Sequence, residues 1–138
     1  MDRCGIRMEN LGRPDPTNLL SKQVTAARYF FLNLAPRRAD PLTLVMGGRE
    51  HCNPDYAVVR ARFPFYVLEY VVSGRGSVKL GNRQHALGPG MVYAYAPTTR
   101  CEIRADPRDP MVKYFLSVAG PDVTKRLQRC GVAPGRVR

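Results

Sequence analysis

The sequence predicts an all-β fold, a sandwich or barrel, with an N-terminal arm and one short helix near the C-terminus. Three observations lead to this prediction. About nine short apolar segments recur at a spacing of roughly 8–12 residues. Glycine, proline and asparagine separate these segments and supply turn chemistry. Only one segment has the periodicity of an amphipathic helix.

The start of the chain predicts a flexible arm. Turn-forming and helix-breaking residues are dense there: Gly12, Pro14, Pro16 and Asn18. Such a segment has few residues that could join a core. We therefore expect residues 1–21 to form an N-terminal arm and residues 22–120 to form the β domain.

Alternating apolar and polar residues, rich in β-branched and aromatic types, predict the strands. The predicted strands cover residues 27–34, 42–46, 56–62, 65–72, 77–80, 83–87, 91–95, 101–104 and 112–118. We expect Gly47-Gly48 to stop the second strand and Gly81-Asn82 to form a hairpin turn. The polar residues 49–56, which include Pro54, are expected to form a β-bulge or a loop.

The remaining residues, 121–138, contain the predicted helix. Asp122 can cap a helix over residues 123–130, and Gly131 can end it. Its apolar residues fall on one face: Val123, Leu127 and Cys130. We interpret the rest of this segment as a linker toward a further domain that this chain does not contain.

The charge of the chain suggests an anionic partner. The formal net charge is +11, from 22 Lys and Arg against 11 Asp and Glu. A basic nucleic-acid-binding module is therefore one open function. However, the arginines are dispersed, Arg37-Arg38 is the only adjacent pair, and no helix-turn-helix or zinc-finger pattern is visible. We do not expect these residues to read bases directly.

The chain shows no signal for export or membrane insertion. No apolar run reaches the roughly 18 residues that a membrane span requires, and the N-terminus lacks an apolar signal region. We therefore expect a cytoplasmic protein without a membrane partner. The four cysteines are widely spaced and form no CxxC pair: Cys4, Cys52, Cys101 and Cys130. In a reducing compartment we expect them to be free thiols.

Three phrases of the sequence suggest a known family. They are Phe65-Tyr-Val-Leu-Glu-Tyr-Val-Val-Ser-Gly-Arg-Gly76, Leu87-Gly-Pro-Gly90 and Lys113-Tyr-Phe-Leu116. Through them, residues 28–118 resemble the cupin sensor domain of AraC-type transcription regulators. The resemblance implies a cupin-like jelly-roll barrel that binds a small-molecule effector, such as a sugar or another small metabolite, and forms a homodimer. It also implies that DNA is bound only through a helix-turn-helix domain outside this chain.

The same resemblance bears on metal chemistry. Metal-binding cupins place two histidines ahead of a glutamate and a third histidine after the Pro-Gly turn. Around Glu69, this chain has Phe63, Phe65 and Cys101 at those positions. Phenylalanine offers no ligand atom to a metal. We therefore expect no metal, no cofactor and no catalytic residue, and keep a metal-dependent cupin enzyme, an isomerase or dioxygenase, as the alternative.

Strand periodicity predicts a ligand pocket inside the barrel. Residues two apart share a face of a strand, so Phe63, Phe65 and Glu69 point inward together. Tyr93 and Tyr95 share a face just after the Pro-Gly turn and can supply hydroxyl groups to a flat or polar ligand. The candidate pocket residues are Phe63, Phe65, Glu69, Tyr93, Tyr95 and Cys101.

The role of Glu69 has two readings. A carboxylate among inward aromatic residues is costly unless it has a partner. Glu69 either orients a polar ligand or pairs with an internal arginine. The candidate arginines are Arg28, Arg60 and Arg62.

Two further polar positions could contact a ligand. Glu50, His51 and Cys52 have side chains that bind transition metals. Adjacent strand residues face opposite sides, so only Glu50 and Cys52 share a face, and we expect no metal site there. His85 is alone on its strand, and we expect it to be hydrogen-bonded locally rather than to contact a ligand.

Overall fold

The computed structural model describes residues 19–138, which form nine strands and one helix. The strands are β1 (Val24–Phe31), β2 (Thr43–Cys52), β3 (Ala57–Arg60), β4 (Tyr66–Ser73), β5 (Gly76–Leu80), β6 (Arg83–Leu87), β7 (Val92–Tyr95), β8 (Cys101–Ala105) and β9 (Val112–Ala119). The helix is α1 (Val123–Arg129). The predicted all-β fold is confirmed. Most of the predicted N-terminal arm, residues 1–18, lies outside the described residues.

Two antiparallel sheets build the barrel. One has five strands in the order β1-β2-β9-β4-β7, and the other has four in the order β3-β8-β5-β6. Every second residue of a strand faces the opposing sheet, and apolar side chains such as Val78 and Ile103 fill this interior. The described residues also bury four polar or charged side chains, all from the five-stranded sheet: Glu50, Glu69, Lys113 and Ser117.

Strand β2 continues through the two glycines at positions 47 and 48 and ends at Cys52. The predicted stop is therefore wrong, and the predicted bulge or loop over residues 49–56 is confirmed only for residues 53–56, which lie between β2 and β3. The glycines are needed for close packing: a Cβ on Gly47 would lie 2.8 Å from the backbone oxygen of Phe115, and one on Gly48 would lie 2.5 Å from that of Arg28. Strand β2 can thus lie between β1 and β9 and carry the polar residues that follow into the sheet.

Helix α1 confirms the predicted helix and ends one residue earlier than expected. Asp122 is the N-cap residue, but its side chain makes no capping hydrogen bond, so the expected side-chain cap is wrong. The Asp122 carboxylate lies 4.0 Å from the guanidinium of Arg126 instead. Gly131 follows the helix with φ of 75°, the left-handed conformation that commonly ends helices. The helix packs on the outer face of the five-stranded sheet, where Val123 is buried.

The C-terminal residues return to the five-stranded sheet. Val92 and Arg138 exchange two backbone hydrogen bonds of 2.8 Å, and Val137 forms a bridge with Tyr93. These contacts extend the sheet beyond β7. The role of this segment as a linker toward a further domain stays a prediction. Within residues 19–138, no helix is long and apolar enough to cross a membrane.

Candidate functional site

A buried group of charged side chains lies inside the barrel, where β2, β9 and β4 run side by side. Lys113 is the register partner of Glu50, and Glu69 lies opposite Phe115, two residues along β9. Lys113 Nζ lies 3.3 Å from Glu50 Oε1 and 3.1 Å from Glu69 Oε2. The Lys113 side chain is only 1% exposed, so its charge is compensated by these two carboxylates rather than by water.

Two tyrosine hydroxyls complete the group. Tyr93 donates a hydrogen bond to Glu69 Oε2, and Tyr29 donates one of 3.2 Å to Glu50 Oε2. We call these five residues the interior cluster: Tyr29, Glu50, Glu69, Tyr93 and Lys113. Each carboxylate therefore accepts a hydrogen bond from a phenol and forms an ion pair with the same ammonium, which is the condition under which buried charges are tolerated.

The surroundings of the cluster set its protonation. Burial disfavours the ammonium of Lys113, but the nearby Glu69, Tyr56 and Glu50 outweigh burial and hold the Lys113 pKa well above its usual value. Burial first, and then the Glu69 carboxylate, raise the pKa of Tyr93 well above its usual value. At neutral pH Lys113 is thus a cation and Tyr93 a neutral hydrogen-bond donor.

A cavity of about 20 Å³ adjoins the cluster. This volume corresponds to about one water molecule. Its wall combines charged, hydroxyl and aromatic side chains, including Glu50, Glu69, Lys113, Ser117, Tyr56 and Phe63. Ser117 Oγ is buried in this wall and has no hydrogen-bond partner among the residues that the structure describes. Since an unpaired buried hydroxyl costs free energy, the wall offers a polar group that a bound molecule could satisfy.

Residues 19–21, which we call the leading segment, form part of the same cavity wall. Leu19 is 4% exposed, and its backbone oxygen accepts a 3.4 Å hydrogen bond from Arg60 Nη2. The chain is held more firmly two residues later. There the Gln23 side chain exchanges hydrogen bonds of 2.7 and 3.2 Å with the backbone of Ala57. The burial of Leu19 is therefore the main contact of the leading segment with the barrel.

The six candidate pocket residues all reach the barrel interior, in two groups. The first group lines the cavity: Phe63, Glu69 and Tyr95. The second is buried in the surrounding core: Phe65, Tyr93 and Cys101. The ring of Phe65 packs edge-on against that of Phe63, with 6.2 Å between centroids. The contact of these residues with a ligand stays a prediction.

Glu69 pairs with Lys113 and Tyr93 and with no arginine of the described residues, so the reading that paired it with Arg28, Arg60 or Arg62 is wrong. The sheet order explains this. Strand β4 lies between β9 and β7, and each neighbour supplies one partner for Glu69. Among the candidate arginines, Arg60 lines the cavity, where its guanidinium lies 5.1 Å from the centre of the Phe63 ring. Arg28 belongs to the outer face of the sheet.

Sequence reasoning missed Lys113 and Ser117. Both alternate with Phe115 along β9, so the three side chains face the interior. Tyr114 and Leu116 face outward between them. This alternation was visible in the sequence, but the apolar residues of β9 occupy both faces and do not reveal which one is buried.

The segment Glu50-His51-Cys52 has its side chains on two faces, as predicted. Glu50 and Cys52 are buried, whereas His51 is partly exposed on the outer face. Burial raises the pKa of Cys52 to about 12. Within residues 19–138, no group of three or more His, Cys, Asp or Glu is arranged to hold a metal ion. Among the described residues, His85 Nε2 is buried and has no hydrogen-bond partner, so the expected local hydrogen bond is not formed by this atom.

Comparison with known proteins gives one family. The family model for the AraC-like ligand binding domain matches residues 44–137, which is more than half of the chain. The matched segment contains Glu50, Glu69, Lys113 and Ser117. A search of curated proteins finds no match.

Solved structures give the fold. A cupin protein from Bacteroides fragilis is 17% identical and has a TM-score of 0.52, over 72% of this chain and 79% of that one. The cupin domain of an XRE-family transcriptional regulator from Enterobacter cloacae is 13% identical, with a TM-score of 0.51 over 67% and 93% of the two chains. Salicylate 1,2-dioxygenase from Pseudoaminobacter salicylatoxidans is 12% identical, with a TM-score of 0.52 over 82% of this chain and 28% of the dioxygenase chain. At these identities the likeness shows the cupin fold alone.

Proposed function

Since the chain belongs to the AraC-like ligand-binding domain family, we propose that it senses a small-molecule effector for a transcription regulator and catalyses no reaction. The interior cluster beside the Ser117 hydroxyl carries this proposal. It offers carboxylate acceptors, an ammonium donor and an unpaired hydroxyl among aromatic walls, which is how pockets orient small polar ligands. A sugar or another small hydroxylated metabolite matches these groups.

The donor set supports binding without metal-assisted chemistry. Lys113 Nζ already lies between Glu50 and Glu69, so a divalent cation beside Glu69 would face a fixed positive charge. Phe63 lines the cavity and has no ligand atom. Burial raises the pKa of the Cys101 thiol well above its usual value, which keeps it in the protonated form that binds metals poorly. These residues favour an ammonium where a metal cupin would hold an ion.

The leading segment supplies a signalling mechanism. A ligand larger than one water molecule needs more space than the 20 Å³ cavity. Displacing the leading segment would provide that space, at a cost of about 1.5–3 kcal/mol for exposing Leu19. The effector then stabilises the state in which residues 19–21 have left the wall, and the population shifts toward it. Effector binding is thereby linked to the path of the chain before β1.

A thermal-shift screen against sugars, organic acids and aromatic metabolites tests the ligand. A ligand that binds only the folded state raises the melting temperature. We expect a hit to lose its effect in Glu69→Gln and to weaken in Ser117→Ala, whereas Ser77→Ala, a serine on strand β5 of the other sheet, is the matched control. Stoichiometric iron, manganese or zinc in the purified protein, together with turnover of a hit, would favour the enzyme alternative.

The homodimer is the second part of the proposal. An apolar groove of about 160 Å³ lies between α1 and the outer face of the five-stranded sheet, and Leu44 at this groove is 45% exposed. Burying it against a second copy would remove apolar surface from water. We expect Leu44→Glu to weaken self-association in sedimentation equilibrium and Val59→Glu, equally exposed on the other sheet, to leave it unchanged. Salt-dependent, base-selective DNA binding by this chain alone would favour the nucleic-acid-binding alternative.

A further inference from the structure

A second charged site lies outside the barrel, on the outer face of the five-stranded sheet. Arg28 of β1 and Arg49 of β2 are register partners, so their side chains leave the sheet directly beside each other. Together with His51, Ala26 and Ala27 they line a cleft of about 150 Å³. Neither arginine belongs to the interior cluster.

This pairing is unfavourable for the isolated domain. Like charges directly opposite each other on neighbouring strands destabilise a sheet. Within residues 19–138, none of the five ion pairs includes Arg28 or Arg49. The carboxylate nearest in sequence, Glu50, faces the other side of the sheet and pairs with Lys113. The two arginines of this register pair therefore have no internal counter-charge in the described part of the chain.

The cleft has room for an anion beside the two strands. Ala26, which lies opposite His51 on the same face, adds only a methyl group to it. The guanidinium of Arg49 lies 5.8 Å from the centre of the Tyr114 ring on β9. An anion in the cleft would draw this guanidinium toward β1 and Arg28.

We propose that this cleft binds a phosphate group between Arg28 and Arg49, with the imidazole N–H of His51 as a third donor. Two guanidinium groups present paired N–H donors in the geometry that phosphate oxygens accept. The anion also removes the repulsion between the arginines, so binding and sheet stability favour the same state. The phosphate can belong to a small phosphate ester or to a nucleic-acid backbone, and the net charge of +11 attracts both. This site does not depend on the effector function of the barrel.

Thermal unfolding in sodium phosphate and in sodium chloride of equal ionic strength tests the proposal. We expect phosphate to raise the melting temperature of the wild-type protein in a saturable way. Arg28→Gln and Arg49→Gln should lower the phosphate affinity by about ten- to a hundredfold, the loss of one or more charged hydrogen bonds. Arg83→Gln, an exposed strand arginine on the other sheet, should keep the wild-type affinity.

The melting temperature in chloride gives a second readout, which should not fall in the two variants. In chloride, Arg28→Gln and Arg49→Gln should melt at or above the wild-type temperature because the like-charge pair is gone, so a loss of phosphate response cannot reflect misfolding. Titration with phenyl phosphate and with a short DNA duplex identifies the source of the phosphate. The source is the ligand whose affinity falls in both Arg28→Gln and Arg49→Gln. An equal response in phosphate and chloride, or an equal loss of response in Arg83→Gln, would overturn the proposal.

Discussion

Replacing Lys113 with methionine would test the interior cluster most directly. Methionine keeps much of the length and volume of the side chain but removes the charge. Glu50 and Glu69 would then remain in the barrel without the ammonium that lies 3.1–3.3 Å from them. Removing one partner of a buried ion pair typically costs about 3–5 kcal/mol. This is a large share of the roughly 5–15 kcal/mol that stabilises a domain.

The free energy of unfolding can be measured by urea denaturation, followed by tyrosine fluorescence because the chain contains 7 Tyr and no Trp. Glu69→Gln should cost less, about 1–3 kcal/mol, because Lys113 keeps Glu50 as a partner. Lys79→Met is the matched control, since it removes the same charge from an exposed position on a strand. Its cost should stay within about 0.5 kcal/mol.

A triple variant separates the loss of charge balance from the loss of the lysine itself. When Glu50→Gln and Glu69→Gln are added to Lys113→Met, no buried charge remains in the group. This variant should be more stable than Lys113→Met alone, because a buried polar group without charge is less costly than an unpaired carboxylate. The reasoning is refuted if Lys113→Met unfolds within about 0.5 kcal/mol of Lys79→Met, or if the triple variant is less stable than the single one.

Three further predictions concern packing, thiol access and pH. Gly48→Ala should lower the free energy of unfolding by about 1–3 kcal/mol because its Cβ meets a backbone oxygen at 2.5 Å; Gly88→Ala, with no atom within 4 Å of the added carbon, should be tolerated in the same urea titration. In a Cys4→Ser background, a thiol reagent should label exposed Cys130 in the native protein and buried Cys101 only after unfolding. Because the folded pKa of Lys113 is raised, its contribution to stability is complete below about pH 10 and is lost as the pH rises further; Lys113→Met should lose less stability than the wild type in alkaline urea titrations.

The strand pattern made the fold predictable, but not the extent of every strand. Alternation placed Glu69 on the inner face of β4 and Glu50 with Cys52 on one face of β2. It failed at Gly47-Gly48, where glycine usually signals a turn. There the reason for glycine lies in the neighbouring strands, whose backbone oxygens leave no room for a Cβ. A single sequence contains no information about that contact until the strand order is known.

The site was less predictable because its partners come from distant segments. Glu69 and Lys113 are 44 positions apart, and they meet only because β4 and β9 are neighbours in the sheet. An arginine partner was a reasonable expectation with 18 arginines and 4 lysines in the chain. Because β9 lies beside β4, the partner of Glu69 is Lys113. The same arrangement places Ser117 in the same wall of the cavity.

The ammonium of Lys113 affects which effectors the barrel can accept. A metal ion binds and leaves, whereas Lys113 is part of the chain and always occupies its position beside Glu69. Both acidic and basic side chains line the cavity, because Arg60 lies in the same wall as Lys113 and the two glutamates, so the pocket suits a polar ligand that carries both hydrogen-bond donors and acceptors. The proposed phosphate cleft, in contrast, is lined by two arginines and selects anions. Since adjacent strand residues face opposite sides, the neighbours Arg49 and Glu50 belong to different sites, one on the outer face of the sheet and one inside the barrel.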